Sequence, residues 1–336
     1  MNYCFQLLPH ANIRYQESLN LLGTAELSCI LQALHVDAEV QLRTIGGAPF
    51  LCFEAPELTQ KQLEKCAAHS AVHFICTEEN GLLRPLDVPR GDYLPRDLAE
   101  VLKYKGKTSA VFTHMMINLA LCASKSFDTE KPVTVLDPLC GRGTTLFVAL
   151  QQGLNSVGID MDRRDLKEAA DYFSRYLQYH RLKHKLEQGA RTVKSNSIPD
   201  ALYTTARSKQ DFQAGDTRTL RLLLGDTGCI GPLLKKTPAD LLVTDLPYGV
   251  QHAPQEGRRP ENFPGMLRRV LPSWKDALKP GAGLAISFNS LTLPRKTLVE
   301  LLEAAGFQVL TEAPFDHFEH FVEQAVTRDV VVARKA

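Results

Sequence analysis

The sequence predicts an α/β fold in which a Rossmann-like domain follows a small ferredoxin-like α+β domain. From Val133 onward, short apolar segments alternate with segments of helical periodicity, a pattern typical of a parallel sheet covered by helices. Residues 1–80 instead follow the order strand, helix, strand, strand, helix, strand, which is that of a ferredoxin-like unit. The chain has 336 residues, enough for both domains and their hydrophobic cores.

The composition is that of an ordinary globular protein. Hydrophobic residues make up 44% of the chain and charged residues 23%, and the formal net charge is +1. No apolar run reaches the length of a membrane span and the N-terminus lacks a signal-peptide pattern, so we expect a cytoplasmic protein without membrane association. Eight cysteines are present without C-x-x-C spacing, so we expect reduced thiols and no metal site.

The first predicted domain covers residues 1–80. The Gly46-Gly47 pair between two short apolar runs is a hairpin signal, and Thr59 is a candidate helix N-cap. The predicted strands are Tyr3–Leu8, Glu39–Thr44, Phe50–Glu54 and Val72–Cys76, and the predicted helices lie near Glu26–Leu34 and over Thr59–His69.

Residues 81–130 are predicted to connect the two domains. Arg84-Pro85, Pro89 and Leu94-Pro95 break regular structure in the first half of this connection. Helices are predicted over Arg96–Leu102 and Ser109–Ala123.

The third region, residues 131–336, is predicted to hold the Rossmann-like sheet. Its segment 163–209, which we call the basic insertion, is longer than a usual crossover. We expect it to form one long helix to about Gln188 and then a polar loop. The predicted strands are Val133–Leu136, Ser156–Ile159, Asp211–Ala214, Leu241–Thr244, Gly283–Phe288, Gln308–Leu310 and Ala325–Ala333.

A glycine turn follows the first strand of this region, in the segment Asp137-Pro-Leu-Cys-Gly141-Arg-Gly143-Thr144. Glycines let the backbone approach a ligand closely, and the helix that begins there offers free N–H groups. This arrangement can serve NAD or S-adenosyl-L-methionine (SAM). Because the NAD fingerprint needs a third glycine where this chain has Leu146, the turn favours SAM.

Three acidic residues follow successive predicted strands. Asp137 can reach the amino group of an amino-acid cofactor, Asp160 can accept bonds from both ribose hydroxyls, and Asp216 can accept one from the adenine amino group. Three acids so placed are more specific to a binding site than a single acid that caps a helix. The predicted SAM-binding residues are Asp137, Pro138, Gly141, Gly143, Thr144, Asp160, Met161, Asp216, Thr217 and Asp245.

The segment Asp245-Leu-Pro247-Tyr248-Gly249 follows the fourth predicted strand. Methyl transfer to an exocyclic amine chiefly requires that the lone pair of the nitrogen faces the sulfonium methyl group, so positioning supplies the rate gain. Asp245 and the carbonyl before Pro247 can accept the amine N–H bonds, and Tyr248 offers a ring for stacking. We therefore predict Asp245, Pro247 and Tyr248 as catalytic residues; a plain turn after a strand is the alternative.

These motifs, together with the segment Tyr104-Lys-Gly-Lys-Thr108, resemble the RNA methylase family that includes tRNA guanine-N2 methyltransferases and commonly carries a THUMP domain. The likeness covers roughly residues 85–336. It implies a class I SAM methyltransferase fold, SAM as cofactor, and methylation of a guanine amino group in structured RNA, with tRNA favoured. The chain departs from the family in two ways: its N-terminal part is too short for a full THUMP domain, and Leu246 stands where many members have proline.

Basic residues are unevenly distributed along the chain. Residues 1–80 hold 4 Lys and Arg against 9 Asp and Glu, whereas the basic insertion holds 11 against 5. The insertion can therefore meet RNA phosphates in place of a THUMP domain. A solvated helix face and a docking surface for a small partner subunit are the alternatives, and whether the chain pairs with a second copy stays open.

Two other functions remain open at this stage. An adenine-N6 methyltransferase acting on DNA or RNA uses a similar [Asn/Asp]-Pro-Pro-Tyr turn. The first residue of the turn here is aspartate, Asp245, rather than asparagine, which favours guanine N2. A SAM-binding partner subunit without activity is the third reading, against which the intact Asp245 and Tyr248 argue.

Overall fold

The computed structural model describes residues 1–10, 12–89, 91–102, 104, 107–193, 195–247 and 263–336. The N-terminal unit is a five-stranded antiparallel sheet. Its elements are β1 (Asn2–Leu7), α1 (Ile13–Ala33), β2 (Gln41–Ile45), β3 (Ala48–Glu54), α2 (Gln60–Ala67), β4 (Val72–Glu79) and β5 (Leu82–Pro85). The strand order β2-β3-β1-β4-β5 confirms the ferredoxin-like unit, with β5 as an added edge strand.

Local sequence explains these elements. Along β1, Tyr3 and Phe5 face the helices in one hydrophobic core, whereas Cys4 faces the opposite side of the sheet. Asn12 caps α1 by accepting a bond from the backbone N–H of Tyr15, so the helix begins well before the predicted start near Glu26. The hairpin and the helix N-cap that the sequence predicted are both present, at Gly46-Gly47 and at Thr59.

The connection between the units contains the two predicted helices, α3 (Leu98–Val101) and α4 (Ala110–Ala123). Leu22 and Cys29 of α1 share a core with α4, so the N-terminal unit packs directly on the second domain. The division at residues 80 and 130 stays a prediction.

The second domain is a ten-stranded mixed sheet. Its order is β13-β15-β12-β11-β6-β7-β10-β9-β8, with β14 paired to β15. The strands are β6 (Thr134–Asp137), β7 (Asn155–Asp160), β8 (His184–Val193), β9 (Asn196–Thr205), β10 (Arg218–Leu224), β11 (Ala239–Asp245), β12 (Leu278–Asn289), β13 (Phe307–Leu310), β14 (His320–Glu323) and β15 (Val326–Lys335). The helices are α5 (Thr144–Gln151), α6 (Arg163–Tyr179), α7 (Lys209–Ala214), α8 (Ile230–Leu234), α9 (Phe263–Asp276) and α10 (Arg295–Ala304).

Five neighbouring strands, β10, β7, β6, β11 and β12, run parallel. They are covered on both faces, by α4, α5 and α6 on one side and by α8, α9 and α10 on the other. The last strand, β15, runs antiparallel between β12 and β13. This is the Rossmann-like sheet of the class I methyltransferase fold, so the predicted fold class is confirmed.

The basic insertion differs from the prediction. Its helix α6 ends at Tyr179 rather than near Gln188, and the expected polar loop is the hairpin β8–β9. Nearly every side chain of the edge strand β8 is exposed, so the segment lacks the alternation of apolar residues that marks a strand in sequence. The hairpin is stabilised because β9 pairs with the edge of β10.

The strand predicted over Asp211–Ala214 is wrong. These residues belong to α7, which Ser208 caps by accepting a bond of 3.0 Å from the backbone N–H of Asp211. The third parallel strand is β10, so Asp216 precedes this strand instead of following it. The other strands predicted in this region overlap observed ones. Within the described parts of the chain, no helix is both long and apolar enough to cross a bilayer.

Candidate cofactor and substrate site

The carboxyl ends of the parallel strands form the edge at which ligands bind in open α/β sheets. Strands β6 and β11 are neighbours at the point where the order of the chain through the sheet reverses. They end at Asp137 and Asp245. The structure thereby brings the first half of the predicted cofactor site next to the predicted reaction site.

Asp137 is buried, with 3% of its surface exposed. Its Oδ1 accepts bonds from the backbone N–H of Leu139 at 3.1 Å and from the Thr244 hydroxyl at 2.8 Å. Burial raises the pKa of Asp137 to about 6, although hydrogen bonds from Thr145, Leu139 and Thr244 oppose this shift. Among the described residues no cation is a cause of the pKa shift of Asp137, and the ammonium group of an amino-acid cofactor would supply one.

The loop between β6 and α5 is shaped by glycine. Gly141 and Gly143 have φ of 47° and 84°, a region that residues with a side chain rarely adopt. A Cβ on Gly158 of β7 would lie 2.6 Å from Cys140 Sγ, so the loop packs directly on the strand. On the helix side, the hydroxyls of Thr144 and Tyr104 lie 2.8 Å apart.

Asp160 ends β7 and holds the glycine loop in place. Its Oδ2 accepts a bond of 2.8 Å from the backbone N–H of Gly141, and its Oδ1 accepts one of 2.9 Å from that of Asp162. Burial raises the pKa of Asp160. Met161, predicted as a cofactor contact, follows with 58% of its surface exposed. These residues lie together at the carboxyl edge, as do Pro138 and Thr144.

Asp216 and Thr217 do not join this group, and their predicted placement is corrected. Both precede β10 and therefore lie at the amino edge of the sheet. Asp216 binds Arg218 at 2.7 Å and Arg207 at 2.9 Å, and the bond from Arg218 lowers the pKa of its carboxyl. Because its backbone carbonyl also accepts a bond from Tyr93, Asp216 fastens the connecting segment to the sheet.

The acid that does follow the third parallel strand is Asp226, which the sequence analysis missed. The backbone N–H of Gly225 donates to the carbonyl of Asp160 over 2.9 Å, which places the end of β10 beside that of β7. Asp226 accepts bonds from the backbone N–H of Gly228 at 2.6 Å and from Arg269 at 3.1 Å. The sequence signal that could have identified this acid is the apolar run that ends in Gly225-Asp226.

Asp245 ends β11, and its Oδ2 receives two donors. The Thr108 hydroxyl donates to it over 2.5 Å, and the Arg328 guanidinium lies 3.5 Å away. Arg328 also stacks over the ring of Phe112, with 4.7 Å between the guanidinium carbon and the ring centroid. Thr108 precedes α4 and Arg328 lies on β15, so neither contact has a local sequence signal.

Leu246 and Pro247 continue the turn after β11. The backbone N–H of Leu246 donates to Ser287 over 2.8 Å, and the Leu246 side chain is buried among apolar residues. A leucine at this position thus anchors the turn by packing where many members of the resembled family have proline. Pro247 is half-buried. Tyr248 and Gly249 lie outside the described residues.

Comparison with known proteins finds likeness among solved structures. No family model matches the chain, and no curated protein matches it. TrmN from Thermus thermophilus is 18% identical, with 89% of this chain and 60% of that one covered and a TM-score of 0.42. A SAM-dependent methyltransferase from Agrobacterium tumefaciens is 16% identical over 77% of this chain and 75% of that one, with a TM-score of 0.41. An rRNA methylase from Streptococcus thermophilus is 13% identical over 66% of this chain and 95% of that one, with a TM-score of 0.36.

These likenesses concern the fold. The chain spans 60% of the length of TrmN, and the identities are 18% or lower, so function is argued below from the residues of the site.

The residues at this edge fit SAM. Asp137 is a buried carboxyl that forms no ion pair with the described residues, and the glycine loop leaves room for a ligand against the backbone. A second acid, Asp160, ends the neighbouring strand. Among the described residues, no cluster of three His, Cys, Asp or Glu side chains could hold a metal ion.

Removing the Asp160 carboxylate should weaken cofactor binding. Asp160→Ala deletes the predicted acceptor for the ribose hydroxyls and the observed anchor of Gly141, so we expect S-adenosylhomocysteine to bind about 10- to 100-fold more weakly. Isothermal titration calorimetry with the wild type and the variant measures this. Asp216→Asn, a change of an acid at the opposite edge, is the matched control and should bind normally. Equal affinities of Asp160→Ala and the wild type would contradict the assignment.

Proposed function

We propose that this protein is a SAM-dependent methyltransferase that methylates an exocyclic amine of a nucleobase in structured RNA, with guanine N2 as the favoured atom and tRNA as the favoured RNA. One contact carries the proposal. The hydroxyl of Thr244 donates to the cofactor acid Asp137 over 2.8 Å, and the next residue along β11 is Asp245. The group proposed to hold the amine therefore stands directly beside the group proposed to hold the cofactor.

Each residue of the turn has a role in this proposal. Asp245 accepts a hydrogen bond from the target amine, and the Leu246 carbonyl accepts the second, so the lone pair of the nitrogen faces the methyl group. Thr108 and Arg328 hold one oxygen of Asp245 and so fix the orientation of the carboxylate. The rate gain comes from positioning, because methyl transfer to an amine needs little acid–base chemistry.

The cofactor itself would be held by Asp137, Gly141 and Asp160, and it would supply the methyl group on its sulfonium. In this proposal the adenine end lies near Asp226, which takes the place that the sequence analysis gave to Asp216. The Tyr104 hydroxyl lies 2.8 Å from that of Thr144 at the start of α5, so the segment before α4 reaches the cofactor loop.

The segment before α4 favours RNA over DNA. Its residues Tyr104 and Thr108 carry the resemblance to the RNA methylase family, and in the structure they contact Thr144 and Asp245. The family-like segment thus lies against both halves of the site. Adenine N6 is the second candidate target, because Asp245 and a following proline can hold that amine in the same way.

Nucleoside mass spectrometry tests the proposal. RNA from a strain that lacks the gene is incubated with the purified protein and SAM, digested, and compared with untreated RNA. We expect N2-methylguanosine to appear. N6-methyladenosine would support the second candidate. DNA from the same strain is treated in the same way. Absence of any new methylated nucleoside in RNA or DNA, with normal binding of S-adenosylhomocysteine, would support the inactive partner subunit instead.

The basic insertion reaches both edges of the sheet. Helix α6 begins at Arg163, just after the carboxyl end of β7, and its 17 residues carry the chain about 25 Å toward the amino edge. Arg181, Lys183 and Lys185 lie there, because His184 pairs through β9 with the start of β10. These side chains can meet only parts of an RNA that are distant from the target base.

Charge reversal of Arg181, Lys183 and Lys185 together should weaken RNA binding. If these groups contact phosphates, loss of three contacts lowers the salt slope of log K by about 2. Affinity for bulk tRNA at several salt concentrations measures this, and affinity for S-adenosylhomocysteine should not change. Arg163→Glu/Arg164→Glu, at the other end of α6, is the comparison variant. Unchanged affinity and slope in the triple variant would show that the insertion is a solvated surface or a partner surface.

A further inference from the structure

A cavity of about 740 Å³ lies between the N-terminal unit and the second domain. Three segments form its wall: the start of α1, the segment that leads into α4, and the hairpin β14–β15. Its volume is within the range of about 300–1,000 Å³ that is typical of ligand sites. The proposed function does not use this cavity.

The cavity shares residues with the reaction site. Arg328 lines the cavity and lies 3.5 Å from Asp245 Oδ2. Ser109 also lines it, next to Thr108, whose hydroxyl donates to the same oxygen. In the wall of the cavity, the hydroxyls of Tyr15 and Ser109 are hydrogen-bonded at 2.8 Å, so α1 of the N-terminal unit reaches the segment that holds Asp245. A chain whose target group stands at Asp245 can therefore continue into this cavity.

The chemistry of the wall suits a nucleotide. Its cationic side chains are Arg14, Lys107 and Arg328, and its carboxylate is Glu323. Burial lowers the pKa of His320, so this ring is uncharged at neutral pH. Because Arg328 is paired with Asp245, the remaining charges of the wall are those of Arg14 and Lys107 against Glu323, a net positive charge that complements phosphate.

Aromatic rings stand beside these cations. Phe321 has 51% of its surface exposed at the hairpin β14–β15, whereas Tyr15 is half-buried and its ring centroid lies 4.2 Å from that of His10. An exposed ring next to cations is the combination with which proteins hold single-stranded RNA, because a base stacks on the ring while phosphates meet the charges.

We propose that this cavity binds the nucleotides adjacent to the target base in the same RNA strand. The inference rests on the proposed function, since it assumes that the target base stands at Asp245. Arg14 meets the phosphates, and Phe321 stacks with an unpaired base. The N-terminal unit thus forms one wall of the RNA site, although residues 1–80 carry more acidic than basic residues.

The test compares Arg14→Glu and Phe321→Ala with two matched controls on the same protein. Arg43→Glu changes an arginine and Phe74→Ala a phenylalanine on the N-terminal unit outside the cavity wall, where both are partly exposed. The probe is a fluorescein-labelled single-stranded RNA of about ten nucleotides of mixed sequence, measured by anisotropy without SAM. We expect about tenfold or greater loss of affinity for each cavity variant and little change for the controls.

Equal affinity of the cavity variants and the control variants for the RNA would overturn the inference. The same result is expected if a polypeptide occupies the cavity. A benzophenone amino acid in place of Val322, exposed on the same hairpin, gives a second measurement if Phe321→Ala fails to fold. It should crosslink to the labelled RNA, and absence of the crosslink would count against the site.

Methylation of bulk RNA by the wild type is assayed separately. If the wild type methylates RNA but the cavity variants bind normally, only this inference fails; if RNA binds in the cavity but is never methylated, the proposed function fails.

Discussion

Asp245→Ala should reduce methyl transfer by about 100-fold or more while leaving cofactor affinity nearly unchanged. The side chain is proposed to hold the target amine, and the cofactor acids Asp137 and Asp160 lie on other strands. Transfer of tritium from methyl-labelled SAM to RNA measures the rate, and calorimetry with S-adenosylhomocysteine measures the affinity. Asp245→Asn keeps one acceptor oxygen and should fall between the wild type and Asp245→Ala.

Asp216→Ala is the control for this experiment. It also removes a carboxylate, but at the amino edge of the sheet, where Asp216 binds Arg207 and Arg218. This variant should retain methyl transfer. An active Asp245→Ala enzyme would exclude the proposed role of Asp245. A parallel loss of cofactor affinity would instead show that Asp245 belongs to the cofactor site, where the sequence analysis had also placed it.

The sequence predicted those parts of the site that depend on a few consecutive residues. The apolar strand that ends in Asp137 leads into a glycine turn. Because this turn needs φ values that only glycine adopts easily, it can be recognised from a few consecutive residues. The end of β11 at Asp245 was found in the same way. The contacts of Asp245 could not be predicted, because Thr108, just before α4, and Arg328 of β15 are brought to it by the packing of the whole domain.

The errors have a physical cause as well. Strand β8 lies at an edge with exposed side chains, so its pairing with β9, not its own pattern, makes it a strand. The strand predicted over Asp211–Ala214 is instead part of the short helix α7, which the Ser208 cap stabilises. That error moved the third acid from Asp226 to Asp216, from one edge of the sheet to the other. When a strand is assigned a few residues away from its true position, an acid that precedes the strand is thus placed at the wrong edge of the sheet.

Glu26→Ala should be the most destabilising of the substitutions considered, by about 3–5 kcal/mol. Glu26 is fully buried in α1, where the N-terminal unit packs on α4. Its carboxyl oxygens accept bonds from the backbone N–H of Ser70 at 2.9 Å, from the Ser70 hydroxyl at 2.5 Å and from the Asn118 amide at 2.7 Å. Alanine would leave these donors buried without their acceptor and would also open a cavity.

His69 does not form an ion pair that would change this estimate. Its Nδ1 accepts a bond of 3.1 Å from the backbone N–H of Ala71, so the proton is on Nε2, which lies 2.9 Å from the carbonyl of Gly23. The ring is therefore neutral in this arrangement, although Nε2 also lies 3.4 Å from Glu26. The loss in Glu26→Ala is then a loss of two hydrogen bonds to Ser70 within the N-terminal unit and of one to Asn118 of α4.

Urea unfolding measures the effect with two signals. The chain has 1 tryptophan, Trp274, buried in the second domain, so its fluorescence reports that domain, whereas far-ultraviolet circular dichroism reports both. In Glu26→Ala we expect the dichroism transition to begin at lower urea than the fluorescence transition, because the N-terminal unit loses both internal bonds to Ser70 and one bond from Asn118 of α4. Glu17→Ala, an exposed position on the same helix, should stay within about 0.5 kcal/mol of the wild type. If Glu26→Ala unfolds at the same urea midpoints as the wild type by both signals, the contact between α1 and α4 does not depend on this carboxyl group.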